Sequence, residues 1–214
     1  MNSSKLNLSL MGLGAVVLSI AMSIAASFDI NVQSNYKLNY IDYSAAPAAE
    51  KPSSVPFISG NFFEALGMRE SSNNYRVINS LGYVGKYQLG EEVLIDTGYY
   101  IKNGAAKNDW KGEWTGKDGI HSLDSLLNSP KVQNKIVKQL ALMNWSTAKK
   151  NGLHLYLNRE VNGVHITKSG ILAGMHLGGV KGVVDFIKYG KNSKDGFGTS
   201  VKDYLKKFKN YHVA

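Results

Sequence analysis

A length of 214 residues, 43% of them hydrophobic, supports one main hydrophobic core and excludes two large ones. The complete absence of cysteine excludes a disulfide scaffold, a lipid-modified cysteine, and any thiolate nucleophile or thiolate metal site. A formal charge of +9 favours polyanionic partners; for an exported chain these are the anionic cell wall and membrane surface before nucleic acid, although the same balance also serves solubility.

Residues 1–27 read as an export segment. Lys5 supplies a positive start, the run from Leu8 to Ile24 is uncharged and apolar, and the small residues Ala25, Ala26 and Ser27 follow. The apolar run is also close to the roughly 20 residues that cross a bilayer, so an uncleaved anchor is the competing reading, and the membrane would then be touched through this segment alone. Both readings place the bulk of the chain outside the cytoplasm, in the periplasm or cell envelope. Residues 28–58 read as a linker: "NYKLNYIDY" could add one short strand, and "SAAPAAEKPSSVP" holds three of the four prolines and no sustained period.

Residues 59–214 carry the domain, expected to be α+β and predominantly α-helical. Helical patterns cover "SGNFFEALGMRES", "YQLGEEVLIDTGY", "SPKVQNKIVKQLALMNWSTAKKNG", "TKSGILAGMHLG", "VKGVVDFIKYG" and "TSVKDYLKKFKNY". Their ends are punctuated by Ser129 before Pro130, by Gly152, and by Thr167 and Thr199 as N-caps. "REVNGVHI" predicts a small hairpin turning at Asn162-Gly163. The stretch from Tyr99 to Ser129, rich in glycine, lysine and tryptophan, reads as an ordered surface excursion. Its Trp110 and Trp114 suit either sugar stacking or, more commonly, burial as anchors.

Within the first helix Phe63, Leu66, Gly67 and Glu70 share one face at the i, i+3, i+4, i+7 spacing. Glu70 therefore continues the apolar stripe, and it lies in the last turn, where the helix dipole is negative. Both circumstances disfavour an ionised carboxylate, the condition a general acid needs. A solvated glutamate at a helix end is the plain alternative. Beyond a polar run, Gly82 and Gly85 flank a turn, and Gln88, at the expected start of the next helix, offers donor and acceptor to a sugar or acetamide.

Glu70-Ser71 followed by Gly82, Gly85 and Gln88 resembles the Glu-Ser and Gly-x-x-Gly-x-x-Gln signature of soluble lytic transglycosylases and the wider lysozyme-like superfamily. A second segment, Gly174, Met175, His176, Leu177 and Gly178, is similar to the family's Ala-Tyr-Asn-Ala-Gly helix, with His176 in place of asparagine and Met175 in place of tyrosine. Tyr204 in "SVKDYLKKF" resembles the tyrosine that closes the family's cleft. The resemblance spans roughly Phe62 to Phe208. It implies a lysozyme-like domain, Glu70 as catalytic acid/base, and Ser71, Gly85, Gln88, His176 and Tyr204 as substrate-binding residues.

The implied substrate is the glycan strand of peptidoglycan, with no cofactor, no metal and no nucleic acid. An envelope-spanning machine is a further candidate partner. A lytic transglycosylase needs one carboxylate, whereas a lysozyme-type muramidase needs a second, for which Glu91, Glu92, Asp96, Asp109, Glu113 and Asp118 are candidates at no distinctive spacing. His121, His154, His165, His176 and His212 form no helical i, i+4 pair of metal ligands, and no Gly-x-Ser-x-Gly elbow is present. The alternative from another class is a non-catalytic wall-binding or scaffold protein of the same fold.

Overall fold

The computed structural model describes residues 60–104 and 108–213; the export segment and the linker expected over 1–58 lie outside them. Among the described residues the order is α1 (Phe62–Ser71), α2 (Glu91–Asp96), β1 (Tyr100–Ile101), β2 (Glu113–Trp114), α3 (Leu123–Leu127), α4 (Pro130–Lys150), β3 (Glu160–Val161), β4 (Val164–His165), α5 (Lys168–Tyr189) and α6 (Val201–Phe208). Short 3-10 turns lie at Lys117–Gly119 and Leu153–Tyr156. The domain is therefore α+β and mostly helical, with two small antiparallel hairpins.

Helix α1 starts where the Asn61 side chain accepts the Phe63 N–H at 2.9 Å, and it buries Phe62, Phe63, Leu66 and Gly67. It stops because Ser72 and Asn73 turn left-handed, at φ 54° and 62°, and return their N–H groups to the Met68 and Gly67 carbonyls. Helix α4 begins with Pro130 at its first turn and buries Gln133, Ile136, Val137 and Leu140 on one face. Helix α5 is capped by Thr167, whose hydroxyl accepts the Gly170 N–H at 3.1 Å.

Several boundaries differ from expectation. The second helix does not begin at Tyr87-Gln88: Gln88 has φ 47°, and the helix starts only at Glu91, after Gly90. The break expected between the two patterns at Gly179 is present: its φ of 65° is non-helical, and α5 runs as two segments meeting at that kink. Helix α6 is capped by Ser200 and not Thr199, through a capping box in which Ser200 Oγ accepts the Asp203 N–H and the Asp203 carboxylate accepts the Ser200 N–H. Helix α5 is long and apolar enough to cross a bilayer, but 56% of its most apolar stretch is buried in the fold, which makes it a core helix.

The expected hairpin forms as β3 and β4, with Asn162 and Gly163 at φ 52° and 74°, the pair of positive angles a two-residue turn requires. The second hairpin lies inside the excursion, where Tyr100 pairs with Trp114 and Ile101 with Glu113. Trp110 and Trp114 stack at 5.9 Å, and Tyr100 meets Trp114 edge-on at 5.0 Å. Both tryptophans are half-buried anchors packed on the core.

One core gathers α1, α4, the first half of α5 and α6 around Phe62, Leu66, Ile136, Leu172 and Phe208; a second lies between β4, α5 and α6 around Val164, Ile171, Phe186 and Leu205. Helix α6 approaches α5 closely because Gly170 has no side chain: a Cβ there would stand 2.9 Å from the Leu205 carbonyl oxygen. That approach brings Tyr204 toward the end of α1.

The turns after α1 are held against α4 by one buried amide. Gln133 accepts the Lys86 N–H at 3.0 Å and donates to the Tyr75 and Leu126 carbonyls at 2.9 and 3.0 Å. Replacing Gln133 by leucine keeps the volume and strands three buried polar groups, so it is expected to lower unfolding stability by about 3 kcal/mol in chemical denaturation.

Candidate active site

Glu70 reaches its position from the last turn of α1, and its side chain is only 13% exposed. Its Oε1 accepts the Tyr204 hydroxyl at 2.6 Å, a bond between residues 134 positions apart. Burial, and then the adjacent Glu70 carboxylate, push the Tyr204 phenol well above its ordinary range, so it remains a donor near neutral pH. The Arg69 guanidinium lies 5.8 Å from the centre of the Tyr204 ring and donates to Thr199 Oγ1 at 3.3 Å.

His176 extends from α5 with its side chain 10% exposed and places Nε2 4.0 Å from Glu70 Oε1. That separation is a contact and not a hydrogen bond. The same Nε2 lies 2.9 Å from the Tyr87 carbonyl oxygen, which can only accept, so Nε2 carries the hydrogen. Met175, its neighbour in the second segment, is buried in the core beside Val183 and Phe186.

Gln88 sits at the mouth of a turn built by glycine. Gly82 and Gly85 have φ of 77° and 71°, and a Cβ on Gly85 would overlap Gln133 Oε1, while one on Gly82 would overlap the Asn108 carbonyl. Gln88 Nε2 donates to the Gly85 carbonyl at 3.0 Å, which fixes the amide's direction. Lys86, between these residues, is almost fully buried: its Nζ donates to Glu64 at 2.7 Å, with the Tyr75 and Tyr87 rings on either side at 5.2 and 5.3 Å. Burial opposes its charge, but the Glu64 carboxylate and the tyrosines outweigh it and hold the lysine above its ordinary pKa.

Glu70, Gln88, His176 and Tyr204 line one cleft of about 460 Å³. Ser71 and Gly85, expected to bind substrate, do not line it. Ser71 Oγ donates to the Lys86 carbonyl at 2.8 Å and accepts the Asn74 N–H at 3.0 Å, tying α1 to the turn. Gly85 serves the close approach of Gln133. None of the six carboxylates considered as partners of Glu70 lines the cleft either. Glu91 is buried with Tyr100 and Trp110, Glu92 pairs with Lys102 at 2.6 Å, and Asp118 pairs with Lys135 at 2.8 Å while accepting the Tyr99 hydroxyl.

The second carboxylate of the cleft is Asp195, from the loop between α5 and α6. Sequence reasoning passed over it, together with Asn79, Leu81, Tyr83 and Phe197, which share the cleft. The signal available was the Asp195-Gly196 turn carrying an aromatic residue between two strong helices. A larger groove of about 740 Å³, lined by Phe63, Leu142, Trp145, Leu172 and two lysines among others, has no carboxylate in its lining.

Comparison with family models, with curated proteins and with solved structures finds no match to this chain.

Tyr87 is raised to about 12, chiefly by burial, and Tyr99 and Tyr204 are raised as well. Groups with raised folded values contribute stability that is fully present below their ordinary value of 10.0 and is lost as pH rises through the folded values. Stability is thus expected to fall on the alkaline side, above about pH 10. Spectroscopic tyrosinate titration checks this: Tyr204→Phe should remove one late-titrating group and cost roughly 1 kcal/mol through the lost hydrogen bond.

Proposed function

We propose that the chain is a peptidoglycan-cleaving glycosidase with a lysozyme-like domain, acting as a lytic transglycosylase on the β-1,4 bond between N-acetylmuramic acid and N-acetylglucosamine. The observation that carries this reading is the meeting of Glu70, Gln88, His176 and Tyr204 in one cleft. These residues come from α1, a glycine turn, α5 and α6, and they belong to the same motifs whose spacing resembles the transglycosylase signature.

The reaction follows from one carboxyl group. Protonated Glu70 donates its proton to the glycosidic oxygen, the bond from that oxygen to C1 of the muramic acid breaks, and an oxocarbenium-like centre develops. The resulting Glu70 carboxylate takes the proton of the same sugar's C6 hydroxyl while that oxygen bonds to C1. The products are a 1,6-anhydromuramic end and a free 4-hydroxyl, and Glu70 is again protonated; no water is consumed. Tyr204 orients the carboxyl by donating to Oε1. Gln88 offers its amide to acetamido or hydroxyl groups, and His176 walls the cleft on the α5 side.

A hydrolytic muramidase would need Asp195 as its second carboxylate. Asp195 Oδ1 already accepts the Phe197 and Thr199 N–H groups at 2.9 and 2.8 Å, an engagement that suits a loop-holding role and favours the transglycosylase outcome. The export segment, the periplasmic location and an envelope-spanning partner belong to the same proposal, since an enzyme of this kind must reach the wall.

The test is mass spectrometry of soluble fragments released from purified sacculi. The protein is expected to release fragments ending in anhydromuramic acid, and Glu70→Gln to reduce that release by at least about 100-fold, the scale of general acid catalysis. Reducing ends would make it a muramidase. Sacculus binding with no release by either protein would establish the wall-binding alternative.

A further inference from the structure

Helix α4 turns a stripe of lysines away from the core. Lys131, Lys135, Lys138, Leu142, Ser146 and Lys149 follow one another at three- and four-residue steps, so they share one face over about 27 Å, and all six are exposed. The opposite face carries Gln133, Ile136, Val137 and Leu140 into the core. The helix holds five lysines and no acidic residue, although the chain has 16 of the latter.

Helix stability does not account for this pattern. Lys149 and Lys150, in the last turn, suit the negative end of the helix dipole, but Lys131 stands at the positive end, and the first turn has no acidic residue to offset it. Among the described residues only Lys135 of the stripe pairs with a carboxylate, Asp118 at 2.8 Å. Apolar groups sit among the charges. Leu142 is 73% exposed, the most of any large hydrophobic side chain described, and Met143 beside it is also exposed. Leu142 lines the groove of about 740 Å³ together with Phe63, Trp145, Lys138 and Lys168. The two lysine Nζ atoms stand 5.9 and 5.6 Å from the Phe63 and Trp145 ring centres, and no carboxylate lines the groove.

A hydrated polyanion would meet the lysines and leave Leu142, Met143 and Trp145 without an apolar partner. A bilayer interface supplies both, with anionic headgroups for the ammonium groups and the acyl boundary for the apolar side chains between them. We propose that the outer face of α4, with the groove beside it, docks on an anionic lipid surface. This contact is separate from any made by residues 1–27, and it does not depend on the glycosidase reading. The groove and the Glu70 cleft share no lining residue: α1 gives Phe63 to the first and Glu70 to the second, about 10 Å further along the helix. Docking thus engages a face other than the one that bears Glu70.

The chain has no cysteine, so Ser146→Cys, with Leu142 left in place, carries one environment-sensitive fluorophore on the stripe, and Phe197→Cys carries it at the cleft as a control. The full-length chain is mixed with vesicles of phosphatidylcholine alone or with phosphatidylglycerol added. The label reports which face meets the lipid, whichever segment holds the chain to the vesicle. The expected result is a blue shift at position 146 with phosphatidylglycerol only, none at position 197, and reversal when salt shortens the Debye length from about 10 to about 3 Å. Lys138→Gln/Lys149→Gln, at two exposed positions, is expected to weaken this docking about 25-fold, roughly fivefold for each lysine. A thermal transition matching that of the unsubstituted chain checks that the fold is intact. No shift at position 146, an equal shift with both kinds of vesicle, at position 197 or with soluble polyglutamate, or an undiminished shift in the lysine variant overturns the proposal. A shift that needs no lipid and grows with protein concentration also overturns it and assigns the face to a second copy of the chain.

Discussion

The buried amide of Gln133 is the constraint on which the site depends. The turns after α1 expose backbone groups to the interior, and a helix side chain must satisfy them, because each unpaired buried group costs on the order of 1–3 kcal/mol. Gln133 does so for Lys86 and Tyr75 while also donating to the Leu126 carbonyl of α3, and the space a Gly85 side chain would need is occupied by Gln133. Asn134, one residue on, accepts the Tyr75 and Tyr87 hydroxyls at 3.2 and 2.7 Å. With the turn fixed to α4, Gln88 is presented to the cleft from a rigid base.

The other half of the site is fixed by close helix packing. Gly170 lets α6 rest against α5, and the capping box at Ser200 and Asp203 sets where α6 begins. These two features together bring the Tyr204 hydroxyl to Glu70, across a sequence separation of 134 residues. The surface excursion joins the same construction: Trp110 Nε1 donates to the Gly82 carbonyl at 2.8 Å, and Asn108 Nδ2 donates to the Leu81 carbonyl at 3.2 Å. Its tryptophans thus brace the wall of the cleft from behind while the cleft itself is lined by other residues.

Much of the fold was legible because it depends on local signals. Pro130 after Ser129, Thr167 as a cap and Asn162-Gly163 as a turn each act within a few residues, and each is present as expected. The misread boundaries are those where a neighbour overrides local preference. Gln88 leaves helical geometry because its segment must bond back to Val84 and Gly85, and α6 begins at Ser200 because Ser200 and Asp203 close a capping box. The hairpin of the excursion escaped notice because each strand has two residues, too few for an alternating pattern, and its stability comes from stacked aromatic rings.

By itself, the sequence determined most of the helical pattern and the placement of Glu70 at the end of an apolar stripe, since periodicity is a property of neighbouring residues, while the candidate set Glu70, Ser71, Gly85, Gln88, His176 and Tyr204 came from a motif resemblance. Tertiary structure alone decided that Glu70, Gln88, His176 and Tyr204 share a cleft, that Ser71 and Gly85 support it from outside, and that Asp195, Leu81 and Phe197 belong to it. The reason is physical: a hydrogen bond or a van der Waals contact depends on separations of a few ångströms, and the packing of α6 on α5 and of the turns on α4 sets those separations between residues far apart in the chain.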